Sequence, residues 1–163
     1  MDAVLHEAMN TFHDLFRQST RRTGDTFVPD RRRALFPGFV EQSPKLHLWS
    51  SGQPIPEQGP RLLIGVATWS GYDMNLLDQI EEAPANGIWV DVFDVDSGQT
   101  LDELSRAIPE LEPPTHTPVA GYWNDGKFVD SAAGFHGRQL VTRVCNLSPE
   151  DVETRMQTIM TRL

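Results

Sequence analysis

At 163 residues the chain is long enough for one domain with a sizeable core, since domains of this size bury roughly 70% of the surface their unfolded chain exposes. No apolar stretch reaches the about 18 residues that mark a membrane span, and the opening Met1-Asp-Ala-Val-Leu-His-Glu is acidic and amphipathic rather than a basic leader, so a soluble cytoplasmic protein is expected. The single Cys145 admits no internal disulfide, and a net charge of -9 disfavours nucleic acid as a partner.

The first element is read over residues 2 to 18, where Val4, Leu5, Ala8, Met9, Phe12, Leu15 and Phe16 recur at three- and four-residue spacing on one face of an amphipathic helix. His6 and His13 share a side of that helix. Two histidines without a nearby third ligand make a poor metal site, so both are placed at the helix border and no metal is expected. The stripe Leu5, Met9, Phe12 and Phe16 can pack on the chain's own sheet or mediate a homodimer. Residues 1 to 40 hold six arginines (Arg17, Arg21, Arg22, Arg31, Arg32, Arg33) against five acids. The Arg31-Arg32-Arg33 cluster is too short to argue for DNA or a membrane and is expected to pair with acids of the same chain. From Thr20 to Pro60 the chain is rich in Arg, Pro and Gly. Here Phe36-Pro37-Gly38-Phe39 predicts a pinned turn, Lys45 to Ser50 a short alternating strand, and Ser51 to Pro60 a loop.

Leu62, Leu63, Ile64, Val66 and Ala67 are apolar without polar alternation, which predicts a central strand covered on both faces. A helical pattern follows from Met74 to Ile80. Ile88 to Val95 predicts a second strand, and Thr100 with Glu103 a capping box for a helix that buries Leu101, Leu104 and Ile108. Pro109, Pro113 and Pro114 end that helix and lead an extended segment into Thr117-Pro118. After a strand over Val119 to Trp123, Asp125-Gly126 supplies the positive φ angles of a tight hairpin, and Phe128 and Val129 return antiparallel. Ser148 and Pro149 begin a last helix along Val152, Met156, Ile159 and Leu163, with Cys145 near its start. Asp73 to Glu112 carries eleven acids and a single basic residue, Arg106. That density reads first as a solvated face and second as a surface that steers a basic protein toward it. The run Asp91, Asp94, Asp96, Asp102, Glu103 lacks the ligand spacing of a calcium loop.

Trp69-Ser70-Gly71-Tyr72-Asp73 joins the apolar run Arg61 to Thr68 to the helix at Met74. The order of parts then continues: strand, helix, Thr117-Pro118-Val119, a ribbon through Trp123-Asn124-Asp125-Gly126-Lys127-Phe128, and Gly134. In this order and spacing the chain from about residue 46 to 163 resembles the thioredoxin superfamily, which carries Trp-Cys-Gly-Pro-Cys where this chain has Trp69 to Asp73. The resemblance implies an α/β thioredoxin-like fold, a central mixed sheet flanked by helices, with residues 1 to 45 as an N-terminal helical and Pro/Arg-rich extension. It also implies a cis Thr117-Pro118 bond. It is weakest over Ser51 to Pro60, where the family often has a helix.

Thiol-disulfide exchange needs a low-pKa thiolate at a helix N-terminus and a second thiol three residues on. Ser70 and Asp73 hold those places, so the resemblance implies a redox-inactive member, not an oxidoreductase of the two-cysteine type. In glutathione transferases a Ser or Tyr on a thioredoxin-like domain stabilises the glutathione thiolate, a role open to Ser70 or Tyr72, but those enzymes add a large helical domain and this sequence has one short helical extension. A hydrolytic set of Ser70, His116 and an Asp lacks the Gly-x-Ser-x-Gly elbow. No catalytic residue and no cofactor is therefore assigned. In thioredoxins an extended piece of the target protein lies in a groove whose walls match Trp69, Ser70, Gly71, Tyr72 and Asp73 on one side and His116, Thr117 and Pro118 on the other. The expected function is protein binding through that groove, as a chaperone-like assembly or folding factor or adaptor. The alternative is an acidic neutralising protein of the immunity type that binds a basic partner.

Overall fold

The computed structural model describes residues 11–19, 30–50, 57–84, 86–111, 113, 115–150 and 154. Five strands form one sheet in the order β1-β3-β2-β4-β5. β1 (Leu46–Leu48), β2 (Pro60–Val66) and β3 (Trp89–Asp94) run parallel; β4 (Val119–Asn124) joins β2 antiparallel, and β5 (Lys127–Ala133) joins β4 antiparallel. Helices α1 (Phe12–Ser19), α2 (Asp30–Gln42), α3 (Gly71–Glu82), α4 (Gly98–Ala107) and α5 (Phe135–Val144) flank it. This mixed sheet with its closing hairpin is the thioredoxin-like arrangement expected from the sequence.

Strand periodicity divides the core in two. Leu62, Ile64, Val66, Val90, Val92 and Ala120 point to one face, where Phe12, Leu15, Phe36, Val40, Met74, Leu77, Leu140 and Val141 cover them. Leu63, Phe93 and Val119 point to the other, under Leu104, Ile108 and Trp49. β2 is buried along nearly its whole length, as a central strand without polar alternation must be. On this second face Arg61 and Asp91 form a buried pair at 2.9 Å. The Trp89 indole N–H donates to the same carboxylate at 3.0 Å, and His47 stacks on Trp89 at 3.7 Å. The pair is fully engaged, which a buried charge requires.

The N-terminal helices depart from the sequence reading. Of the helix expected over 2 to 18, α1 begins at Phe12 with Thr11 outside it, and residues 2 to 10 lie outside the described residues. Thr11 is its cap: the Asp14 N–H donates to Thr11 Oγ1 at 3.0 Å and the Thr11 N–H to Asp14 Oδ2 at 3.3 Å, a reciprocal capping box. The two remaining first-turn donors, the N–H groups of Phe12 and His13, go to the Asp78 carboxyl in α3 at 2.7 and 2.8 Å. Phe36-Pro37-Gly38-Phe39, expected as a turn, lies within α2. Phe36 and Val40 are 1% and 0% exposed, and burying two such side chains contributes about 1.5 to 3 kcal/mol each, which offsets the roughly 3 kcal/mol cost of an interior proline. Phe12 packs at 6.0 Å from Phe36 and 5.9 Å from Phe39, so it serves the chain's own core.

Further along, the cap of α4 is Ser97, three residues ahead of the expected Thr100, and the two hydroxyls bond at 2.9 Å. Lys45 reaches the C-terminal end of α3, where its ammonium donates to the carbonyls of Ile80 at 3.3 Å and of Ala83, the end of a helix that favours a cation. The Asp125-Gly126 turn has φ of 53° and 78°, the two positive values the hairpin demands. α5, which the sequence reading did not identify, follows β5 directly and closes the sheet. Cys145 therefore caps the end of α5; the chain is helical again at Pro149 and Glu150, and the rest of the last expected helix, apart from Thr154, lies outside the described residues. Among the described residues no helix is long and apolar enough to cross a membrane.

Candidate functional site

Where β2 ends, the chain turns through Ala67 and Thr68 and leaves Trp69 58% exposed before α3 begins. Ser70 is the helix cap, its Oγ accepting the Asp73 N–H at 3.3 Å. Gly71 is buried, and Tyr72 half-buried, beneath the Arg138 guanidinium at 5.7 Å. Asp73 folds back under the turn, 1% exposed, with Oδ2 accepting the Ala67 N–H at 2.9 Å. Its Oδ1 meets no donor in hydrogen-bonding geometry. Burial pushes this carboxyl up from 3.8 to about 6; the Ala67 N–H, the Thr117 hydroxyl, Arg138 and the Ser70 hydroxyl pull it down without offsetting the burial.

The second wall is the segment before β4. Thr117-Pro118 is cis, Pro118 is buried, Thr117 half-buried and His116 exposed. The Gly134 N–H donates to Pro118 O at 3.0 Å. Gly137 brings α5 so close that a Cβ there would lie 2.3 Å from Pro118 O, so only glycine lets the helix seat against this loop. The Thr117 hydroxyl acts on the Asp73 carboxyl, which puts Thr117 near the N-terminus of α3.

Two residues at this site were not identified from sequence. Phe135, the first residue of α5, is 54% exposed, and Arg138 lies 5.4 Å from its ring as well as 5.7 Å from Tyr72. The guanidinium is thus held by two aromatic rings, one from each side of a 63-residue gap in sequence. Their only sequence signal is their closeness to Gly134. The Trp69 indole is likewise held: its N–H donates to Asp96 Oδ2 at 3.1 Å. Asp94, two residues earlier, lies 3.6 Å from Arg33, whose guanidinium also donates to Asp96 O at 2.6 Å. One arginine of the Arg31-Arg33 cluster therefore does pair with an acid of the same chain.

No protein-family model and no curated protein matches the chain. Among solved structures, a mutant thioredoxin from Halobacterium salinarum NRC-1 is similar, at 19% sequence identity and a TM-score of 0.41 over 64% of this chain and 95% of that one. A likeness of that size adds nothing to what the strand order already says.

The hydroxyl of Ser70 serves the α3 cap, and His116 Nδ1 lies 3.4 Å from Thr115 Oγ1. Cys145 is buried at the far end of α5, and burial pushes its thiol up to about 12 against a partial opposing effect of Lys45, a state with almost no nucleophilic thiolate. Of the eleven acids between Asp73 and Glu112, Asp73, Asp78 and Asp91 are buried. Asp94 and Asp96 serve Arg33 and Trp69. Five of the eleven acids are thus engaged by the fold, three of them buried, while Asp102 and Glu110 stay exposed. Among the described residues no group of three His, Cys, Asp or Glu side chains is placed to hold a metal.

Proposed function

We propose that this is a redox-inactive protein of thioredoxin-like fold that binds an extended segment of another protein between Trp69–Asp73 and His116–Pro118, as an assembly or folding factor or an adaptor. The observation that carries this reading is the pinned, exposed indole of Trp69. An aromatic ring left 58% exposed but fixed by its own N–H bond to Asp96 has little side-chain entropy left to lose on binding. Tyr72, three residues on, carries Arg138 over its ring, and Arg138 in turn lies over Phe135. Ser70 and Asp73, where exchange chemistry would need thiols, instead cap α3 and lie buried under the turn.

Affinity capture from a lysate of the source organism, comparing the native chain with a Trp69→Ala/Tyr72→Ala variant at low and high salt, tests the reading. A partner lost with the variant and retained in salt is the expected result. A partner indifferent to the variant and released by salt would move function to the remaining acidic surface.

A further inference from the structure

The Trp69 indole is only as fixed as its acceptor, Asp96. That residue lies in the turn between β3 and α4, where Asp94 Oδ1 accepts the Asp96 N–H at 2.9 Å and Asp94 O the Ser97 N–H at 3.1 Å. The turn so shaped carries two carboxylates two residues apart, and like charges repel. The cation that meets them comes from another element. Arg33, near the start of α2, has Nε 3.6 Å from Asp94 Oδ2, and its Nη2 donates to Asp96 O at 2.6 Å. One guanidinium thus touches both acidic residues of the turn that holds the indole. α2 is itself seated by Phe36, one turn beyond Arg33 and 1% exposed.

We propose that Arg33 is a positioning residue for Trp69: by clamping Asp94 and Asp96 it fixes the carboxylate that orients the indole, and so presets the exposed anchor of the groove for its partner. A helix that precedes the sheet thereby becomes part of the site. The consequence for binding rests on the reading of the Trp69–Pro118 groove as a protein-binding site, whereas the orientation of the indole is a property of the free chain. The contact uses what an arginine offers, two nitrogens of one rigid plane meeting a carboxylate and a carbonyl at once. With the Arg33 side chain 45% exposed, water screens the clamp. Its loss therefore loosens the turn without unfolding the chain.

The test reads the indole directly. In the full chain labelled with nitrogen-15, four tryptophans give four indole N–H signals, and the one absent from Trp69→Phe is that of Trp69. Arg33→Gln is expected to shift this signal and to speed its exchange with water about two- to fivefold, with the signals of Trp49, Trp89 and Trp123 and the urea midpoint close to native. Asp96→Ala removes the acceptor outright, so adding Arg33→Gln to it should change the Trp69 signal no further. A Trp69 signal unmoved by Arg33→Gln would overturn the positioning role, as would a shift of all four signals together or an effect that persists undiminished on top of Asp96→Ala. Binding is read by fluorescein anisotropy with dodecapeptides selected on the native chain from a phage-displayed random library. Trp69→Ala should abolish their binding and Arg33→Gln weaken it about two- to fivefold. Peptides indifferent to Trp69→Ala would overturn the groove reading and leave the indole result standing. Peptides that need Trp69 but ignore Arg33→Gln would overturn the presetting of the anchor and leave the groove reading standing.

Discussion

Asp73 is a carboxyl with one oxygen bonded to the Ala67 N–H and the other meeting no donor in hydrogen-bonding geometry, 1% exposed. Its ionised form is the disfavoured one, which is why its pKa stands near 6 rather than 3.8. A folded-state pKa above the unfolded value means that the native state binds more protons between the two. The associated stability is fully present below about 3.8 and is lost as pH rises through about 6. Asp78, pushed up to about 6 by burial despite the His13 and Phe12 N–H bonds, titrates over the same window with the same sign. Asp73→Asn imitates the protonated form. Its urea midpoint is expected to rise at pH 7.5, by an amount corresponding to at most about 3 kcal/mol, and to match the native chain near pH 3.5. Urea melts from pH 3.5 to 8 check this; equal midpoints at pH 7.5 would show that the carboxylate finds water or a donor.

At the scale of elements, α1 depends on a residue 65 to 66 positions away. Asp78→Ala removes the acceptors of the Phe12 and His13 N–H groups, which should cost about 2 kcal/mol and speed amide exchange in α1 well before that in β2. Exchange that rises equally in both would mean that α1 opens only with the whole molecule. The same helix marks the limit of what the sequence disclosed. β2, α3, β3 and the hairpin were legible because each carries its own signal: an unbroken apolar run, a 3.6-residue stripe, or the Asp125-Gly126 turn. Thr11 was hidden inside a continuing apolar period, and Pro37-Gly38 is a turn signal that the burial of Phe36 and Val40 overrides. α5 was missed because its buried stripe is narrow, Gly137, Leu140, Val141 and Thr142, between polar and basic residues. The site was legible in the same measure. Trp69 to Asp73 and Thr117-Pro118 stand in recognisable order, while Phe135 and Arg138 come to it on that unrecognised helix.

For the molecule as a whole, Cys145 reports on cooperativity. Its thiol, 3% exposed and pushed up to about 12, should react with a disulfide reagent at least about a thousandfold more slowly than an unperturbed thiol, from its thiolate fraction alone. Its labelling should accelerate in urea along the same curve as the far-ultraviolet signal. Fast labelling without denaturant would place the end of α5 outside the cooperative unit. The long-range cap of α1 has a last consequence, for the order in which a nascent chain acquires structure. Eight residues are too few to hold a helix alone, and the carboxyl that receives the first two N–H groups of α1 belongs to a segment translated later, after β2 is complete. The earliest described helix to leave the ribosome therefore lacks the acceptors of its first turn until α3 has emerged and taken its place on the sheet.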